Sequence, residues 1–309
     1  MSATGTFVRE DTAFDSHGAR CVAWLYRPGG DHDPPIVVMG HGFAATREMG
    51  LAAYAERFAH AGFAVLVFDY RSFGDSAGEP RRVLDIRMQH QDWRAAIAHA
   101  RTLSGIDANR VVAWGSSFGG GHVLHLAAED RDFAAVIAQV PHVSGPASAF
   151  SASPHQTLRL AVAGVRDQIG AILGRQPYRV AAVGKPGTLA MMTSPDAYPL
   201  AERLAGENIE KFQRENDVAA RIAMRLPLYS PGRRATRITA PTLVQVATRD
   251  VVTPVRVALK AAERIPNAEI RTYDCSHFEP YLEPHFDGVV SDQLAFLTRV
   301  APARHTSDE

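Results

Sequence analysis

The hydrophobic positions change their arrangement once near the start of the chain. Phe7 to Phe14 and Ala19 to Tyr26 are runs rich in strand-forming residues on either side of the turn-forming tetrapeptide Asp15-Ser16-His17-Gly18, and they predict an antiparallel hairpin. Beyond Tyr26 the pattern becomes short continuous apolar runs: Ile36–Met39, Ala64–Phe68, Arg110–Trp114, Ala134–Ala138, Thr242–Val246 and Glu269–Tyr273. Amphipathic helices are expected between them, at Glu48–His60, Ile86–Leu103, Pro254–Ile265 and Phe286–Val300. Continuous rather than alternating strands, separated by helices, predict an α/β fold with a mainly parallel, doubly wound sheet covered on both faces.

The rhythm breaks between about His142 and Thr239, where helical stretches follow one another without a convincing strand. Gly145-Pro146, Ser153-Pro154, Lys185-Pro186-Gly187, Ser194-Pro195 and Pro231-Gly232 punctuate this stretch, which contains no repeat or low-complexity tract. The expected organisation is a core of residues 1–141 and 240–300, a helical cap insertion of residues 142–239, and a small, polar, flexible tail of residues 301–309.

Composition narrows the function classes. A chain of 309 residues with 46% hydrophobic content can bury a sizeable core, which excludes disorder. The 33 Lys and Arg balance the 33 Asp and Glu, so no global field favours nucleic acid or an anionic membrane. Cys21 and Cys275 have neither metal-ligand spacing nor a disulfide framework and read as packing residues in a reducing compartment. The N-terminus MSATGTFVRED lacks a basic region followed by an apolar one, and no stretch approaches the length of a membrane span. A soluble cytoplasmic protein is expected; the oligomeric state is not legible, and a homo-oligomer stays open.

The chemistry begins at Gly115-Ser116-Ser117-Phe118-Gly119, which fits G-x-S-x-G between a predicted strand and a predicted helix. In that context Ser117 sits on a strained turn relieved by small residues two before and two after it, and the following helix aims its N-terminal amides at a developing oxyanion. Ser116 is expected to point away. A hydroxyl nucleophile needs a base, and the base needs an orienting acid. Asp250 lies in the loop after a late predicted strand, and His277 lies just beyond the last one, both at the C-terminal edge of the sheet where open α/β sheets bind ligands. Asp274 and Glu279 are competitors for the orienting role, but neighbours so close to His277 in an extended loop tend to point elsewhere. The backbone amides of Phe43, in Met39-Gly40-His41-Gly42-Phe43, and of Phe118 are the candidate oxyanion hole. His41 reads as a structural hydrogen-bonding residue.

These motifs resemble the α/β-hydrolase superfamily over nearly the whole chain: GHGF at 40–43, FDYRSFGDS at 68–76, GSSFGG at 115–120, D-x-x-x-P at 250–254 and SHFEPY at 276–281. Within it, the chain is similar to the bacterial serine-hydrolase branch grouped with Xaa-Pro dipeptidyl-peptidase-like and dienelactone-hydrolase-like proteins, and to fungal polyketide transferases. It departs in having HGF where many lipases and esterases have HGGG, and Ser where dienelactone hydrolases have Cys.

Other residues have structural readings. Arg71 and Asp75 are expected to pin a loop beneath the site, and His122 and His125 to be helix-face residues rather than metal ligands. Met191 and Met192 are the candidate substrate-binding residues, either lining an adaptable apolar pocket or filling the core of the cap. The expected activity is that of a serine hydrolase cleaving a carboxylic ester or related small-molecule acyl substrate through a covalent acyl-enzyme, with no metal or organic cofactor. The competing readings are an acyltransferase, thioesterase or peptidase on the same three residues, and a non-catalytic ligand-binding member of the fold.

Overall fold

A computed structural model describes residues 6–30, 33–151 and 153–303. Strands β1 (Phe7–Ser16) and β2 (Ala19–Pro28) form the hairpin, closed by His17 and Gly18 at φ 52° and 82°. Two consecutive positive φ values give the tight turn whose twist matches paired strands. Then β3 (Ile36–Gly40), α1 (Leu51–His60), β4 (Ala64–Phe68), α2 (Ile86–Ala100), β5 (Val111–Ser116), α3 (Phe118–Ala127) and β6 (Ala135–Gln139) alternate. Helices α4 (Gly145–Ser151) and α5 (Pro154–Ile172) follow, then β7 (Arg179–Val183), β8 (Ala190–Met192), α6 (Ala197–Ala205), α7 (Ile209–Glu215), β9 (Asp217–Ala219) and α8 (Ile222–Arg225). The last elements described are β10 (Thr242–Ala247), α9 (Val255–Ala262), β11 (Ala268–Tyr273) and α10 (Phe286–Val300).

Eight strands form one sheet in the order β1-β2-β4-β3-β5-β6-β10-β11. The β1–β2 and β2–β4 pairs are antiparallel and every other pair is parallel. Every residue of β3, β4, β5 and β6 is buried, because helices cover both faces, and this is why their apolar runs are continuous. Along β5, Val111 and Ala113 join the layer containing Trp93 and Val123, whereas Val112 and Trp114 join the opposite layer with Tyr54 and Phe296. The thiols of Cys21 and Cys275 are both fully buried and free.

The 142–239 segment is mainly helical, but it also contains strands that its sequence did not reveal. Strands β7, β8 and β9 form a second sheet in the order β8-β7-β9. Two of these strands have three residues each, and the longest reads RVAAV, so none offers the run of β-branched or aromatic residues that marks a strand in sequence. Ser153-Pro154 starts a helix rather than breaking one: the Ser153 hydroxyl accepts the Gln156 N–H at 3.2 Å, and Pro154 occupies the first turn of α5. The end of the segment folds back onto its beginning, with Gly145 N–H donating to the Tyr229 carbonyl at 2.7 Å and Gly232 N–H to the Val143 carbonyl at 3.0 Å. Along the outer side of α5, Leu158, Val162, Val165, Ile169 and Ile172 are 45 to 76% exposed at spacings of four and three residues, an apolar stripe that the described residues leave uncovered. Ala301, assigned to the tail by its sequence, is buried in the layer packed by α10, and residues 304–309 of that expected tail lie outside the described residues.

Four imidazoles in this core make stability depend on pH. His41, His90, His122 and His142 are buried, and burial lowers His41 and His142 to about 4, His90 to about 3 and His122 well below the ordinary value. Below pH 6.5 the unfolded chain therefore takes up protons that the folded chain refuses, and stability falls with pH through that window. Burial also raises the carboxyls of Asp69, to about 6, and of Asp92 and Asp217, which acts in the opposite sense, but the half-buried His99 and His125 are lowered as well and add to the four imidazoles. Denaturant unfolding at pH 5 is expected to give a stability at least about 2 kcal/mol lower than at pH 7, and an equal or greater stability at pH 5 would contradict the account.

Candidate active site

The site begins where β5 ends. Ser117 lies between β5 and α3 with φ 55° and ψ −116°, a conformation that costs a non-glycine residue about 1 to 3 kcal/mol and persists only where the surroundings impose it. They do so here by close approach: a Cβ on Gly115 would lie 2.2 Å from the Gly119 carbonyl oxygen, and one on Gly119 would lie 2.6 Å from the carbonyl oxygens of Gly40 and His41. The Ser117 N–H donates to the Gln139 carbonyl at 2.9 Å, and its own carbonyl accepts from His142 N–H at 2.8 Å and Gly121 N–H at 3.1 Å. Ser116 is buried on the other side, where its Oγ accepts from Gln139 Nε2 at 3.3 Å.

The loops after β10 and β11 bring Asp250 and His277 to this serine. His277 Nε2 is 2.8 Å from Ser117 Oγ, and His277 Nδ1 is 2.6 Å from Asp250 Oδ2. An ionised carboxylate only accepts, so Nδ1 carries the proton and donates, which leaves Nε2 free to accept the serine O–H. Asp250 Oδ1 accepts the N–H groups of Val252 at 2.7 Å and Thr253 at 2.8 Å, and Oδ2 also accepts the Thr253 hydroxyl at 2.7 Å. Burial pushes the Asp250 carboxyl up, but His277 and Thr253 more than offset this and hold it below the usual carboxylate value. The two competing acids are engaged elsewhere. Asp274 pairs with Arg249 at 3.1 Å, and Glu279 accepts the Ser276 N–H at 2.6 Å.

On the other side of Ser117, the loop after β3 approaches so closely that a Cβ on Gly42 would lie 3.1 Å from Ser117 Cβ. The Phe43 and Phe118 amides donate no hydrogen bond to another described residue, and their rings meet edge to face with centroids 5.6 Å apart. His41 is fully buried, its Nδ1 3.0 Å from the Gly42 carbonyl, and its low pKa keeps it neutral at neutral pH.

The charges beneath the site hold loops. Arg47 pairs with buried Asp69 and, at 2.8 Å, with Asp75, which also meets Lys211 at 3.2 Å. Arg71 ties the hairpin to α2 through Asp92 at 2.6 Å and the Ser16 hydroxyl at 2.8 Å. His122 proves to be buried, with Nδ1 2.8 Å from the Tyr229 hydroxyl and Nε2 2.8 Å from Gln89 Oε1. His125 stacks on His90 with centroids 4.1 Å apart and lies 3.2 Å from Glu129, a carboxylate one helical turn away. Among the described residues, no group of three His, Cys, Asp or Glu is placed to hold a metal ion.

A cavity of about 520 Å³ opens onto Ser117, and both Met191 and Met192 line it. Its lining contains no Asp, Glu, Lys or Arg. Thr253 and His142 are among the polar lining residues that sequence reasoning missed. Thr253, inside the D-x-x-x-P step, braces Asp250, and its spacing from that acid could have flagged it. His142, whose Nδ1 lies 3.3 Å from the Ser148 hydroxyl, gives no sequence signal, since it stands where the strand pattern stops.

The sequence model of the family described as Serine aminopeptidase, S33 matches residues 32–285. The quorum-quenching protein AidA of Acinetobacter baumannii (strain MDR-ZJ06) is 47% identical over 296 residues, covering 95% of this chain and 96% of its own. The polyketide transferase ATR5 of Stachybotrys chlorohalonatus (strain IBT 40285) is 33% identical over 180 residues, 58% of each chain. Among solved structures, the alpha/beta hydrolase GrgF from Penicillium sp. sh18 has a TM-score of 0.78 at 22% identity, over 95% of this chain and 99% of that one, a likeness of fold. No helix among the described residues is long and apolar enough to cross a membrane. The chain belongs to the serine aminopeptidase S33 family and is a serine hydrolase of the α/β-hydrolase type.

Proposed function

We propose that the protein cleaves a carboxylic ester or related acyl compound through a covalent acyl-enzyme on Ser117. The observation that carries this reading is the unbroken line of hydrogen bonds from Ser117 Oγ through His277 to Asp250. Ser117 Oγ attacks the acyl carbon as its proton passes to His277 Nε2, and Asp250 stabilises the imidazolium while remaining ionised. The negative charge that develops on the carbonyl oxygen is met by the amides of Phe43 and Phe118, each such donor contributing about a hundredfold to a thousandfold. His277 then returns the proton to the leaving group, and water hydrolyses the acyl-enzyme by the reverse sequence. Residues from the 142–239 segment cap the serine and form one wall of the cavity. The uncharged lining suits an apolar acyl chain, since an unpaired charge there would be costly to desolvate. The 47%-identical relative is named for quorum quenching, an activity this site would supply by hydrolysing a signal that carries an acyl bond.

Acyl transfer is the second reading, and the polyketide transferase among the relatives favours it. Adding a short alcohol or amine during turnover separates the two: hydrolysis alone gives only the free acid, whereas a transferase gives the new ester or amide. Esters of graded acyl length, a thioester and a Pro-containing amide test the substrate class, and an exclusive preference for the amide would overturn the esterase reading. In the same panel, Met191→Ala and Met192→Ala are expected to shift acyl-length preference about tenfold while leaving small acetate esters less affected. A uniform change across the panel would contradict a role for these methionines in acyl selection.

A further inference from the structure

Two cavities reach Ser117, and they differ in what else lines them. The large one, of about 520 Å³, includes both Phe43 and Phe118 but not His277. A second, of about 40 Å³, includes His277 together with Met49, Leu51, Leu204 and Tyr281, and lacks Phe118. Met192 and Phe43 border both and form the partition between them.

From this we infer that the small cavity is the leaving-group site, so that the substrate is an ester or thioester with a large apolar acyl part and a short alcohol or thiol. The inference rests on the reading of Ser117 as nucleophile and His277 as its base. In R–CO–OR′ the Ser117 Oγ–acyl bond forms, the C–OR′ bond breaks, and the proton that His277 Nε2 took from Ser117 passes to the departing OR′ oxygen. General acid catalysis requires that oxygen to lie within hydrogen-bond reach of Nε2, so R′ extends into the cavity that His277 lines. With the carbonyl oxygen on the Phe43 and Phe118 amides, the remaining substituent, R, has only the large cavity to enter. Size then sets the preference: about 40 Å³ holds roughly three water-sized groups, which matches a methyl to propyl group on the departing oxygen.

Two ester series test this with the full-length chain: methyl esters of acids from two to twelve carbons, and acetates of alcohols from one to eight carbons. Activity in kcat/KM should rise with acyl length in the first series and fall at least about tenfold beyond propyl in the second. Leu204 lines the small cavity and not the large one, so Leu204→Ala should restore the longer acetates by about tenfold while keeping the order of the methyl series. Met49→Ala serves the same purpose if Leu204→Ala does not fold. A preference for long alcohols on a short acyl group, or a Leu204→Ala variant that reorders the methyl series instead, would overturn the assignment. So would a serine labelled by a fluorophosphonate in an enzyme that turns over neither series. An enzyme that is folded but neither labelled nor active fails at the serine-hydrolase reading itself.

Discussion

Replacing Ser117 by alanine is expected to abolish ester turnover, a loss on the order of a millionfold, while Ser116→Ala keeps most of it. The two hydroxyls are adjacent in sequence but differ in what they face. Ser117 Oγ meets His277 Nε2 at 2.8 Å at the mouth of the cavity, whereas Ser116 is fully buried and bonded to Gln139. Only the first can give up its proton to a base while its oxygen attacks an acyl carbon. Alanine at 117 also removes no packing of consequence, so thermal unfolding of the variant should match that of the parent. An active Ser117→Ala enzyme beside an inactive Ser116→Ala enzyme would place the nucleophile one residue earlier.

The second large effect concerns the acid. Asp250→Asn should lower turnover by about ten-thousandfold in a folded protein, because an amide in place of the carboxylate lets the imidazole carry its proton on the nitrogen facing Ser117. Three donors besides the imidazole converge on this carboxylate, from Val252 and Thr253, so its orientation is built into the loop after β10. Glu279→Gln and Asp274→Asn should each cost about tenfold or less, acting only through the loop that carries His277. Glu279 is the more informative control, since it holds the Ser276 amide next to that histidine. Turnover of one chromogenic ester near neutral pH, with circular dichroism on each variant, separates the three. A nearly active Asp250→Asn variant and a dead Glu279→Gln variant would move the orienting role to Glu279.

How much of this could be read in the sequence depends on how many constraints each residue carries. The runs at 36–39, 64–68 and 110–114 were legible as strands because both of their faces are buried, leaving no polar position to interrupt them. Helix α10 was legible to its ends, whereas α1 begins later than its pattern suggests because Gly50, at φ 79°, cannot continue a helix. The strands β7, β8 and β9 were hidden because three-residue pairings need little intrinsic preference and take their stability from packing. At the site, Gly115, Ser117 and Gly119 announce themselves because few other residues fit so tight a turn. Asp250 and His277 could be placed through the strand ends they follow. The second cavity could not, since it is formed where α6 meets the loops after β3 and β11, elements far apart in sequence. Nor could the burial of His122, which depends on Tyr229 folding back from the end of the 142–239 segment.

The most direct test of the central claim is to locate the covalent intermediate's residue chemically. The folded, ester-hydrolysing protein is incubated with a fluorophosphonate, digested, and mapped by mass spectrometry. One phosphonyl adduct is expected, on Ser117, absent from Ser117→Ala and formed far more slowly in Asp250→Asn. An adduct on Ser116 or any other residue, or no adduct on an enzyme that still hydrolyses its ester, would contradict it.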